Sequence, residues 1–212
     1  INKEQEIVLG LSEEEKERRG LNNYVYEETS MSEPLTKEQI KEIRDTTGNK
    51  GQNSRGITDE TFRKYGVRFE YDEESGEVSS HFYPVTTNYE ISGFKIREIP
   101  KKFRSVGLTG KSCDAFGEWI FKVSNSKTVL IASGEVDCLS AYQMLENYRK
   151  SRNNDFEPTP VVSSTIGETG SDKQFQKRYN WLNRFDKIVI CPDQDEAGKK
   201  AVEALVKVLP KN

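Results

Sequence analysis

An α/β fold is predicted for this 212-residue sequence: a parallel β sheet with flanking helices, preceded by a small α+β portion with a basic antiparallel sheet. Three features predict it. The second half repeats a strand-then-helix pattern three times. The middle carries strand-like segments between turn signals, and its cations crowd one interval. Two of the later strands are each followed at once by a pair of acids. Serial β-then-α units imply parallel strands joined by crossover helices, and ligands bind such sheets at the carboxyl ends of the strands.

Residues 1–32 are polar and Glu-rich with almost no periodic apolar positions, which predicts a linker or arm. In "SEPLTKEQIKEIRDTTG", Thr36 and Gln39 form a capping-box pattern, Ile40 and Ile43 follow, and Gly48 marks the stop. "RGITDETFRKYGV" repeats that logic with Thr58 as cap, Phe62 and Tyr65 on one face and Gly66 as the stop. From Arg68 the pattern is strand-like, with a hairpin around Ser75 and Gly76. "TNYEISGFKIREI" then supplies a second turn and an extended arm on which Lys95 and Arg97 share a face. An antiparallel sheet with its basic residues on one side is the economical reading.

"KTVLIA" is the first buried-type strand, followed by a helix in which Cys138, Ala141, Tyr142 and Leu145 recur at helical spacing. "PVVSS" is the second, followed by one helix over "SDKQFQKRYNWLNRF" with a stripe of Phe175, Tyr179 and Leu182. "DKIVIC" is the third, followed by a helix whose apolar face is Ala197, Ala201, Leu205 and Val208. The expected division is an arm at 1–32, an N-terminal portion at 33–125 and the parallel-sheet domain at 126–212.

A net charge of −3 argues against a protein coated in basic charge for duplex DNA, but a local patch survives that average. Lys95, Arg97, Lys101, Lys102, Arg104 and Lys111 fall in one interval against the single acid Glu98, a candidate anion-binding face. No run approaches the roughly 18–20 apolar residues of a membrane span, and no basic-then-apolar leader opens the sequence. No membrane partner is expected, and a cytoplasmic location is. Cys113, Cys138 and Cys191 are far apart and His81 is the only histidine, so zinc is not expected within the chain and the thiols are expected to be reduced and mostly buried. "GLTGKSCD" imitates a phosphate-binding loop, yet that pattern needs a glycine where Ser105 stands. Lys111 is therefore read as a phosphate contact.

Glu135 and Asp137 follow the first parallel strand, and Asp193 and Asp195 follow the third. Strand ends of a parallel sheet share an edge, so the two pairs are expected to converge. Four crowded carboxylates would raise one another's pKa unless a cation bridged them, and hard oxygen ligands suit Mg2+ or Mn2+. An Asp after a strand is equally the residue type of a helix N-cap, a role open to Asp137 or Asp195.

"SGEVDCLSAYQML" with "IVICPDQDEAGKKAVEAL" resembles the Toprim domain of bacterial-type primases, topoisomerases and small nucleases. It is most similar to the primase (RNA polymerase) region of phage-type bifunctional primase-helicases, related to mitochondrial Twinkle. "SRGITDETFRKYGV" and "GFKIREIPKKFRSVGLTGKSCDAFGE" extend the similarity over about residues 50–210. The resemblance implies a DNA primase that synthesises short RNA primers on a single-stranded DNA template from nucleoside triphosphates, with Mg2+ or Mn2+, beside a linked hexameric helicase. It implies metal ligation by Glu135, Asp193 and Asp195 and catalytic roles for Glu135 and Asp137. Contacts to template or nucleotide fall to Lys95, Arg97, Lys101, Lys102, Arg104 and Lys111.

The family's opening glutamate is Ser133 here, which cannot take a proton near neutral pH. That departure keeps two rivals open: a Twinkle-like module that binds single-stranded DNA without synthesis, in a mitochondrial matrix, and a Toprim nuclease. The resemblance also implies that the sequence is a piece of a longer protein, continuing beyond Asn212 into another strand, a third acidic motif and a helicase.

Overall fold

The computed structural model describes residues 33–167 and 170–211; the arm expected at 1–32 lies outside the described residues. Helix α1 (Lys37–Thr46) starts on the expected capping box, with Gln39 N donating to Thr36 Oγ1 at 3.3 Å and Thr36 N to Gln39 Oε1 at 2.9 Å. Helix α2 (Asp59–Lys64) is capped by Thr58, whose hydroxyl accepts from Thr61 N. Between them a 3-10 turn, Ser54–Gly56, holds Arg55 in the left-handed region at φ 55°.

Strands β1 (Arg68–Tyr71), β2 (Val78–Thr87), β3 (Glu90–Glu98) and β4 (Lys102–Gly107) form an antiparallel sheet in sequence order. A two-residue turn, Asn88-Tyr89, joins β2 to β3 with φ of 53° and 69°, the mirror-image geometry that matches strand twist. Tyr89 tolerates that conformation with its N–H donating to the buried Asp114 carboxylate at 2.7 Å.

Strands β5 (Thr128–Ala132), β6 (Val161–Ser163) and β7 (Lys187–Cys191) form a parallel sheet in the order β6-β5-β7. Helix α3 (Glu135–Ser151) packs with α2, while α4 (Ser171–Lys177) packs against α6 (Glu196–Val208). Gln143 of α3 fastens the N-terminus of α2, accepting from Thr58 N at 2.8 Å and donating to Gly56 O at 2.9 Å.

One apolar core runs through both sheets. Phe62, Tyr65, Phe69 and Tyr83 join Val129, Ile131, Leu139 and Val161, and Tyr65 Oη donates to Val161 O at 3.0 Å. The described residues form one unit as a result. A smaller core of Phe82, Phe94 and Ile96 lies under Leu35 and Ile43, on the opposite face of the antiparallel sheet.

Three expectations are corrected. The helix expected over "SDKQFQKRYNWLNRF" is two, α4 and α5 (Tyr179–Leu182), broken at Arg178 (φ −94°, ψ 10°). Arg178 is drawn onto Glu118 and Asp114, and the break turns Tyr179 outward and Trp181 inward. On α6 the expected face keeps Leu205 buried and Ala201 and Val208 partly so, but Ala197 is exposed and the buried residue of the first turn is Gly198. The cations of the antiparallel sheet do not share one side. Strand alternation puts Lys95 and Arg97 on one face and Lys102 and Arg104 on the other, where both pair with Glu98.

Candidate functional site

Central strand β5 meets β7 in register, Ala132 opposite Cys191, so the segments that leave these strands emerge side by side. Ser133 ties them together: its hydroxyl donates to Cys191 O at 3.3 Å. Gly134 then caps α3 in an extended conformation, and Glu135 and Asp137 occupy the first helical turn, where the positive end of the helix favours carboxylates. Across the edge, Asp193 sits in the turn after β7 and Asp195 caps α6, accepting from Gly198 N at 2.8 Å. Gly198 has to be glycine: a Cβ there would lie 2.1 Å from the Asp193 carbonyl oxygen. That close approach seats the Asp193 backbone against the first turn of α6.

The four acids are not equivalent. Glu135, only 5% exposed, receives the Lys95 ammonium on both oxygens, at 2.8 and 3.1 Å, so β3 reaches across to the parallel sheet. Asp195 gives one oxygen to its helix. Asp137 is open to solvent yet has a raised pKa, first from partial desolvation in the cleft and then from the like charge of Asp193. Arg55 and Arg97 act on it in the opposite direction. Among the described residues no three His, Cys, Asp or Glu side chains gather as a metal cluster. Two neighbouring carboxylates nevertheless fit a hard divalent cation such as Mg2+, which takes one or two carboxylates and fills its remaining positions with water and phosphate oxygens.

The facing wall is built by strand register. His81, Arg97 and Phe103 lie in one transverse row and Tyr83, Lys95 and Ser105 in the next. Behind the row is a buried polar chain: Ser54 Oγ lies 3.4 Å from His81 Nε2, and His81 Nδ1 lies 3.0 Å from Tyr83 Oη. Burial above all, with Arg97 and Arg55 adding to it, pushes the His81 pKa down to about 4, so the ring is neutral at ordinary pH. The wall is thus fixed without adding a third cation to Lys95 and Arg97.

Of the other expected contacts, Lys101 and Lys102 are exposed at the β3–β4 turn, Arg104 is paired with Glu98 on the far face, and Lys111 is exposed in the turn after β4. Arg55 and Phe103 were not singled out from the sequence. The signal for Arg55 was the arginine–glycine pair in "SRGI", both residues at positive φ; that for Phe103 was an aromatic inside the basic interval.

The Toprim-like family model matches residues 130–212, the part of the chain that carries the acidic carboxyl edge of the parallel sheet with α3 leaving one strand and α6 the other. Beyond that domain, the chain is similar to the DNA helicase/primase of Enterobacteria phage T3, 29% identical over 162 residues. That match covers 74% of this chain and 25% of the phage protein, so the chain spans about a quarter of its curated relative. The fold matches the crystal structure of the primase fragment of the bacteriophage T7 primase-helicase protein, with a TM-score of 0.67 and 23% identity over 87% of this chain and 69% of that one. It also matches primase domains solved with the bacteriophage T7 lagging-strand DNA polymerase and bound to an RNA/DNA hybrid and dTTP. There the TM-score is 0.63 and the identity 26%, over 77% of this chain and 76% of that one. Among the described residues no helix is long and apolar enough to cross a membrane.

Proposed function

We propose that this chain is the primer-synthesising portion of a replicative primase-helicase, joining ribonucleotides on a single-stranded DNA template in the cytoplasm of a phage-infected cell. One observation carries the reading: acids follow the in-register strands β5 and β7 at the carboxyl edge of the parallel sheet, and the basic strand β3 reaches that edge, Lys95 meeting Glu135 at 2.8 Å. Cations on one wall and like-charged carboxylates on the other suit a polyanion handled through a divalent cation. The T3 helicase/primase and the T7 primase-helicase support the same reading, and with it a linked helicase as partner. Residues 33–125 then serve as the template-binding portion and 126–212 as the nucleotidyl-transfer domain.

In this reading Asp137 and Asp193 hold Mg2+ or Mn2+, with Asp195 supporting from the α6 cap. The ion, when bound, neutralises charge on the nucleotide phosphates. Arg97 and Arg55 stand beside the acidic pair and orient phosphate oxygens. Lys95 holds Glu135 in place and screens its charge from an incoming phosphate. Ser133 accepts no proton, so proton removal from the attacking hydroxyl falls to Asp137 or to solvent.

The test is oligoribonucleotide synthesis from labelled nucleotides on single-stranded DNA with Mg2+ or Mn2+. Template-dependent products that disappear in Asp193→Asn, with the far-UV circular dichroism unchanged, support the proposal; cleavage of the template would make the chain a nuclease. A second reading draws on Ser133, whose hydroxyl is given to a backbone carbonyl: a module that binds single-stranded DNA for its helicase without synthesis. Binding without products would select it.

A further inference from the structure

Phe103 stands in the strand that borders the cleft, and neither strand pairing nor the cores need it. The residue is 45% exposed on β4, the outer strand of the antiparallel sheet, and Ile99 beside the same turn is 51% exposed. An exposed phenylalanine alone means little. Its surroundings are specific, however. Phe103 is the register partner of Arg97, whose guanidinium carbon lies 5.9 Å from the ring centroid. Lys95 Nζ lies 5.3 Å from the same centroid while it also holds Glu135 at 2.8 Å. The ring therefore adjoins two cations of the acidic cleft and keeps open surface for an occupant.

We propose that Phe103 is a stacking platform for one base of the single-stranded template, with Arg97 and Lys95 taking the phosphates that flank it. The inference rests on the function proposed above and names a contact residue for it. An open aromatic surface beside paired cations is the composition that binds single strands without reading sequence: bases stack on the ring and the cations track the backbone. The second wall of the cleft is acidic, which leaves the β3–β4 wall for the strand. Phe103 makes the template contact depend on bases as well as phosphates. A protein partner's apolar side chain would use the same ring, but it would supply no phosphate to Arg97, the cation whose guanidinium lies beside it.

The experiment measures binding of the 212-residue chain to two labelled oligonucleotides of equal length, one of thymidines and one carrying abasic sites throughout. Wild type is expected to bind the thymidine strand more tightly. Phe103→Leu is expected to weaken that binding by roughly 5- to 150-fold, the range for loss of one base–aromatic stack. It should leave the abasic strand and the salt dependence unchanged, and Phe103→Trp should keep thymidine binding and show tryptophan quenching. Equal loss on both strands, or no loss on either, overturns the stacking role while the polymerase reading stands. Failure of the wild-type chain to bind either strand overturns both.

Discussion

Two acidic clusters in this chain look alike in composition and differ in what meets them. Asp114 and Glu118, 1% and 0% exposed, are buried in the segment after β4, and Arg178 answers both. Arg178 Nε donates to both Glu118 oxygens at 3.0 and 2.9 Å, Ala115 N adds a bond, and Thr86 Oγ1 and Tyr89 N fill one oxygen of Asp114. The second cluster lies at the carboxyl edge of the parallel sheet. There Glu135 has Lys95, but Asp137 has its pKa raised, first by partial desolvation and then by the like charge of Asp193. A buried carboxylate answered by a guanidinium holds a fold together. Like charges kept side by side at an open edge lower stability and persist where a cation or phosphate chemistry needs them.

The largest expected effect lies in the closed cluster. Arg178→Met leaves two buried carboxylates without a counter-charge and should cost about 3–5 kcal/mol in urea denaturation. A cost below about 1 kcal/mol would remove the structural half of the comparison. Next is His81. The folded ring has its pKa lowered to about 4 from an ordinary 6.5, so the unfolded chain binds the proton first. The stability this group contributes is complete above pH 6.5 and is lost as pH falls toward 4, on the order of 3 kcal/mol in all. Because His81 is the only histidine, its imidazole signals titrate in NMR without assignment. A midpoint near 6.5 would show that the row behind Arg97 is open to water.

The smallest effect sharpens the open cluster. Asp137 has a raised pKa, so over the window between its ordinary and raised values the folded chain holds a proton that the unfolded chain has released. Its contribution to stability falls as pH rises through that window. Asp137→Asn should match wild type in acid and exceed it at neutral pH by less than about 1 kcal/mol, since solvent screens the site. Thermal melts of the two proteins from acid to neutral pH measure the difference. A variant that melts below wild type at neutral pH would mean that Asp137 is structural.

What could be read from the sequence was local or periodic. The Thr36 and Thr58 caps, the hairpin at Gly76, the three parallel strands and the position of both acidic pairs all follow from residues within a few positions of each other. Pairings between distant positions could not be read. Lys95 finds Glu135 forty positions away and Arg178 finds Glu118 sixty away, and each contact removed an assumption. The first gave Glu135 a cation from within the chain; the second broke a helix that periodicity made continuous. The basic interval divided because strand alternation outranks proximity in sequence, sending Arg104 to Glu98. Phe103 was hidden by its company: among so many charges its ring carried no periodic signal.

The central claim is that Asp137 and Asp193 together hold a divalent cation. Mn2+ titration followed by electron paramagnetic resonance measures it directly, since bound ion disappears from the free-ion signal. Wild type should show a saturable site that Mg2+ displaces. Asp137→Asn and Asp193→Asn should each lose that site with their folds intact, and Lys102→Ala, on the far face, should keep it. Mn2+ binding of wild-type strength in both asparagine variants would contradict the account.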